Sequence, residues 1–226
     1  MLGFMGAQSD FDITSCSFEE FISFLFNHEV IDFPNGHQGP YPWYIEAEIK
    51  FDSTEVVDHY TKLFLEPNNP LSEFSSESLE QGFWAIQSCN LECSASEQIW
   101  NTDVPFARRA KCVRSMSSLF AKFFAKSPLE TASNMWWDSI AFDYCCENRM
   151  RSNGGEDAAM QDVIFWTLES ILQQPETHCQ IAALHGLGHL MHPETGSLID
   201  NYIRSNASLS EETIEYARAA AEFEIQ

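Results

Sequence analysis

Four of the seven histidines fall within fifteen residues, at His178, His185, His189 and His192. Successive residues of an α-helix are turned by about 100°, so this spacing puts all four on one stripe roughly 60° wide along an unbroken helix. Histidines at i and i+4 can share one metal ion, and His185 and His189 have that spacing. It is the spacing of the zinc-protease HExxH helix. Here, however, Gly186, Leu187 and Gly188 intervene, and the glutamate that serves as general base is missing. His178 and His192 are the remaining candidate ligands, and zinc or iron would suit such a set. Glu176 and Glu194 lie close in sequence, but no pattern turns them inward. His192 precedes Pro193, where the helix should end, so it can act as a cap instead. The opposing reading is structural: the histidines donate to carbonyls or acids of a neighbouring helix. Two helical glycines, each costing about 1 kcal/mol relative to alanine, then mark close helix packing. The structural reading is the favoured one and the metal set its alternative.

The rest of the sequence adds little chemistry. Trp136 and Trp137, followed by Asp138, could form a binding shelf, but such a pair is more often one core anchor and one half-exposed packing residue. The vicinal Cys145 and Cys146 close a disulfide only under strain and read better as buried helix residues. There is no GxSxG elbow, no Walker A loop and no GxGxxG. Asp, Glu and Ser are so abundant that chance pairs carry no acid–base assignment. No catalytic group is therefore expected.

A series of short helices must position the histidines. Ser17 heads SFEEFISFLFNH, with Phe18, Phe21, Phe24 and Leu25 on one face and glutamates in the first turn. The turn-rich IDFPNGHQGPYPWY ends it, and YIEAEIKFD then alternates as a short strand or an extended arm would. Ser53 or Thr54 caps STEVVDHYTKLFL, and SSESLEQGFWAI carries Leu79, Phe83 and Ile86 as a stripe. After a looser stretch from Cys89 to Asp103, Pro105 opens a long helix toward Lys126. NMWWDSIAFDYCCEN is a further helix, capped by Asn134 or Ser133, and RMRSNGGED is the clearest loop. The last four helices have connections of about two to six residues, which make neighbours antiparallel hairpins. The expected fold is all-α: an irregular array of antiparallel hairpins, HEAT-like or α-solenoid, without a clean repeat period. Residues 1–52 read as an N-terminal helix and extended arm, and residues 53–226 as one continuous helical-array domain.

Charge narrows the partners. The 226 residues carry 34 acidic and 12 basic side chains, a net charge of −22. Duplex DNA and anionic membranes repel such a surface, so neither direct nucleic-acid binding nor membrane attachment is expected. A basic protein is the partner that fits, with a cation or plain solubility as the other uses of the acids. Arg108, Arg109, Lys111, Arg114, Lys122 and Lys126 lie together in a stretch without acids, and removing these six from −22 leaves −28 elsewhere. They form either a basic face or an internal counterweight to acidic neighbours, and the second is favoured. Seven cysteines, an odd number without a CxxC pair, read as reduced thiols in the cytoplasm. MLGFMGAQSDFD has no basic region or long apolar run, so it is not read as a signal peptide.

SLEQGFWAI, NMWWD, and CQIAALHGLGHL followed by EYARAAAEFEIQ together resemble a group of uncharacterised bacterial helical proteins with a HEAT-repeat-like C-terminal half. The resemblance covers about residues 53–226 and is most specific from Cys179 to Leu190. It implies a helical fold, a bacterial cytoplasmic setting and a scaffold role for the histidines, and it carries no activity or catalytic residue. The expected function is a noncatalytic protein–protein interaction protein, of the immunity or inhibitor type, that covers a basic partner by charge complementarity. A metal-dependent enzyme using the His185/His189 helix is the alternative. A nucleic-acid mimic ranks last, because the acids are scattered rather than set in one row.

Overall fold

The computed structural model describes residues 10–31, 42–45, 47–129, 131–141 and 149–225. With 62 % helix against 3 % strand, the chain is all-α. Several of its helices start where a side chain takes up free amide N–H groups. Ahead of α1 (Phe18–Phe26), Glu20 N–H donates to Ser17 Oγ at 3.2 Å and Ser17 N–H to Glu20 Oε2 at 2.7 Å, a complete capping box. For α2 (Ser53–Leu65) the cap is Asp52, not Ser53 or Thr54. Its Oδ1 accepts from Thr54 and Glu55 N–H at 2.8 and 2.9 Å, and its charge faces the positive helix end. A short α3 (Asn68–Leu71) precedes α4 (Ser76–Gln87), which Ser75 caps through Ser78 N–H rather than through a glutamate three residues on.

The stretch from Cys89 to Asp103 holds a one-turn helix, α5 (Ala95–Gln98). From Pro105, α6 (Phe106–Leu119) runs into a single π-helical turn, Phe120–Phe124. Of NMWWDSIAFDYCCEN, Asp138–Ala141 is α7. Cys145 and Cys146, like most of the proline-rich segment before Trp43, lie outside the described residues. A 3-10 turn at Arg151–Asn153 leads to Gly154 and Gly155, whose φ values of 70° and 56° suit glycine, and α8 (Gly155–Leu172) begins at the second of them. The remaining helices are α9 (Thr177–Leu190), α10 (Thr195–Ser205) and α11 (Glu211–Ala221).

The alternating segment after Tyr44 is a strand. β2 (Glu48–Lys50) pairs in parallel with β1 (Asp10–Asp12), setting Phe11 opposite Ile49. Three residues are too few for β1 to show a periodicity of its own. The helices pack α2 on α6, α6 on α8, α8 on α9, α9 on α11 and α10 on α11, with α1 on α4. Their buried apolar side chains form one continuous cluster from Ile13 to Ala220. Trp136 lies at a crossing of this core. Phe64, Phe83 and Phe124, from three different elements, surround it with ring centroids 5.6–5.9 Å away. Its Nε1–H points at Met116 Sδ, 3.5 Å away. Trp137 is equally buried, so the pair anchors its segment twice and forms no shelf.

Three of the six residues of the basic stretch pair with acids of the chain and one of these is buried, while Lys111, Arg114 and Lys126 are exposed. Arg109 is 1 % exposed. Its guanidinium donates to Val104 O at 2.8 Å and Ile99 O at 3.2 Å and pairs with Glu156. Arg108 pairs with Asp58 and Lys122 with Glu66, both from α2 or its cap. No helix among the described residues is long and apolar enough to cross a membrane.

One histidine far from α9 reports on the N-terminal packing. His28 stacks on Trp43 at 3.7 Å and donates from Nε2 to Phe24 O at 2.6 Å. Burial pushes its pKa below the usual 6.5, partly offset by the bond to the carbonyl. The folded form therefore resists a proton that the unfolded chain accepts. The stabilisation is complete above pH 6.5 and is lost as the pH falls through the lower folded value. Urea unfolding at successive pH values between 7.5 and 5 should show a steeper loss in the wild type than in His28→Gln. Equal slopes would mean that His28 is not held neutral by packing.

Candidate functional site

The histidine stripe holds from His178 to His189 and breaks before His192. Met191 adopts a left-handed conformation with φ 51° and ends α9 one residue ahead of His192–Pro193. His192 leaves the helix and is satisfied elsewhere. Its Nδ1 accepts Glu194 N–H at 3.2 Å, so its proton sits on Nε2 and is donated to Asp162 Oδ1 at 3.0 Å. The ring stacks on Phe165 at 4.2 Å, and Arg151 holds the same carboxylate. His178, at the other end, donates from Nε2 to Phe124 O at 2.9 Å, a carbonyl of the π-turn. These two histidines bond to groups of neighbouring segments, apart from the other two.

His185 and His189 come together, and two residues from distant segments join them. His185 Nε2 lies 2.8 Å from Asp138 Oδ1 and 3.0 Å from His189 Nε2, and His189 Nε2 is 3.7 Å from the same Asp138 oxygen. The two imidazoles stand nearly perpendicular, at 85°. Behind His185, the Tyr216 hydroxyl meets Nδ1 at 2.7 Å. Burial and the neighbouring His185 press the His189 pKa below 6.5, against the pull of Asp138. Burial first, and then the charge of Asp138, pushes the Tyr216 hydroxyl above its usual value, which keeps it a neutral phenol.

The backbone that makes this meeting possible is small-residue backbone. A Cβ at Gly186 would stand 2.6 Å from Trp137 Cγ and 2.7 Å from Leu168 Cδ2, so only glycine lets the Trp137 ring lie against α9. Asp138 is the next residue and is thereby delivered to His185. A Cβ at Gly188 would stand 2.4 Å from Ile225 Cδ1 and 3.3 Å from Ala220 Cα. Its absence admits α11 and the residues after it, and Tyr216 comes with them. The Asp138 segment is held from its other end by Glu80, only 8 % exposed. Glu80 Oε1 accepts from Thr131 N–H, Thr131 Oγ1–H, Ala132 N–H and Trp84 Nε1–H at 2.6–3.0 Å.

Of the four histidines singled out by spacing, the structure gathers two, and Glu176 and Glu194 take helix N-cap positions rather than joining them. Asp138 and Tyr216 escape sequence reasoning because they lie 47 and 31 residues from His185. The one cue is the aspartate that ends MWWD. Among the described residues, Asp138, His185 and His189 are the group of side chains whose ligand atoms lie within 4.8 Å of one another. Two imidazoles and a carboxylate can hold a divalent cation or pass a proton among themselves. No family model, no curated protein and no solved structure matches the chain.

Substitution at Gly186 tests the close approach. Gly186→Ala should lower unfolding free energy by about 1–3 kcal/mol, because the displaced Trp137 and Leu168 outweigh the better helix propensity of alanine. Gly196→Ala, in α10 with open space around it, should leave stability unchanged or raise it by up to about 1 kcal/mol. Chemical denaturation of the pair checks this, and equal effects would refute the packing role of Gly186.

Proposed function

We propose that this chain is a noncatalytic interaction protein whose acidic helical surface receives a basic protein partner, in the manner of an immunity or inhibitor protein. The observation that carries this reading is how the cations are used. Arg108, Arg109, Lys122, Arg149 and Arg151 each pair with an acid of the chain itself. Those pairs cancel, so the net charge of −22 rests entirely on the other side chains. Such a field speeds encounter with a cationic surface and opposes association with DNA or an anionic membrane. In this reading the protein works in the cytoplasm, within the bacterial helical group it resembles.

A place for docking lies between α1 and the α2–α3 region. An open cleft of about 790 Å³ has Phe18, Ile22 and Phe74 among its apolar residues and Glu19, Glu73 and Lys62 among its charged ones, with Lys62 Nζ 3.9 Å from the Phe18 ring and Glu66 already paired with Lys122. Glu19 and Glu73 beside Phe74 suit a further arginine or lysine side chain, whose stem packs while its head is neutralised, as that of Lys62 packs over Phe18 within the chain. The second reading, a metal-dependent enzyme on the His185/His189 helix, is favoured by one observation, the convergence of Asp138 on that pair.

The test is capture from a lysate of the source cell at low and high salt, with the double variant Glu19→Lys/Glu73→Lys alongside. A basic protein held at about 0.05 M salt and released near 0.5 M, and held at least tenfold more weakly by the variant, is the expected result. Capture that ignores salt, or that the variant reproduces, would overturn the reading.

A further inference from the structure

We propose that Asp138, His185 and His189 are the protein ligands of a divalent first-row transition-metal site of the zinc class, with Tyr216 as the positioning residue behind His185. The claim concerns binding of a cation and is independent of the partner reading above. Its first support is the supply of protons. The single Nε2 proton of His185 can be aimed at Asp138 Oδ1, 2.8 Å away, or at His189 Nε2, 3.0 Å away, but not fully at both. If His185 Nε2 carries no proton, its lone pair faces a carboxylate oxygen at contact distance. A cation between the three atoms removes the conflict, since each then presents a lone pair to it.

The spacing agrees. Ligand atoms about 2.0–2.1 Å from a tetrahedral zinc ion lie roughly 3.3 Å from one another. The three separations here, 2.8, 3.0 and 3.7 Å, bracket that value. With Nε2 directed to the metal, His185 keeps its proton on Nδ1 and donates it to Tyr216 Oη at 2.7 Å. An outer hydrogen bond of this kind fixes the ring and its tautomer. The supports are rigid: one helix carries both imidazoles a turn apart, and two buried tryptophans precede the carboxylate. Two nitrogens and one oxygen select zinc, cobalt, nickel or iron(II) over magnesium and calcium, which take oxygen ligands. The His185 and His189 side chains are 7 % and 14 % exposed and that of Asp138 is 33 % exposed. The open side is therefore that of the carboxylate, where water can complete the coordination.

The experiment uses untagged full-length protein, stripped with a chelator and titrated with cobalt(II), with zinc(II) as competitor. One equivalent of cobalt should produce the visible bands of a four- or five-coordinate ion, displaced by zinc and not by magnesium or calcium. Asp138→Asn and His189→Gln should abolish stoichiometric binding, Tyr216→Phe should weaken it about tenfold, and His178→Gln should bind as the wild type does. Zinc should raise the melting temperature of wild type and His178→Gln but not that of Asp138→Asn. Because the wild-type titration and the conservative Tyr216→Phe variant are read on folded protein, a failure of the other variants to fold does not rescue the proposal. No saturation at one equivalent, a thiolate-to-cobalt charge-transfer band, or unchanged binding in Asp138→Asn and Tyr216→Phe would each overturn it.

Discussion

Everything around α9 depends on the absence of two side chains. Methyl groups at positions 186 and 188 would collide with Trp137, Leu168 and Ile225. Glycine costs helix stability at both positions, roughly 1 kcal/mol each. What offsets the cost is contact: Trp137 is buried against one gap and the residues after α11 close the other. Because Asp138 follows Trp137 directly and Tyr216 belongs to α11, the same two gaps that seal the core also choose which polar groups meet His185. Packing and polar chemistry are not separable here, and the intervals between histidines would mean little on a helix without those gaps.

The electrostatic arrangement has a similar double character. Arg109 is buried with backbone carbonyls at two of its nitrogens and Glu156 at the third. A buried guanidinium is tolerable only when its donors are taken up. It ties the segment before α6 to the start of α8, so a residue that looks like surface charge in the sequence acts as an internal brace. Arg149 does comparable work, reaching Glu97 and Ser139 O across a stretch of 52 residues to the first and 10 to the second. The interior thus draws on two of the twelve cations, and the acids they pair with remain partly exposed.

How much of this was legible in the sequence depends on range. Caps and proline starts are local chemistry, and Ser17, Pro105 and the glycine pair at 154–155 mark element boundaries within a residue or so. At α2 the cap lies one residue earlier than expected, because an aspartate outcompetes the hydroxyls that follow it. The helical character of the fold and the tight packing at the HGLGH glycines were both readable. The β1–β2 ladder was not, since a three-residue strand has no pattern. Within the candidate site, His185 and His189 follow from spacing alone. Asp138 and Tyr216 do not, because their approach is a property of the folded core, whereas the departure of His192 was signalled by Pro193, although the left-handed Met191 that makes the turn was not. Single-residue backbone choices of that kind leave no periodic trace.

The cover over Gly188 comes from residues made after it. Ala220 and Ile225 leave the ribosome more than thirty positions later than the glycine they cover. During synthesis α9 is therefore exposed with a bare groove along its small-residue face, and His185 waits without its phenolic neighbour. Earlier elements such as α2 and α6 can settle as they appear, at the usual few residues per second. The α9 layer cannot, because the contacts that cover Gly188 are not yet made. Completion of this region thus waits for α11 and the residues that follow it.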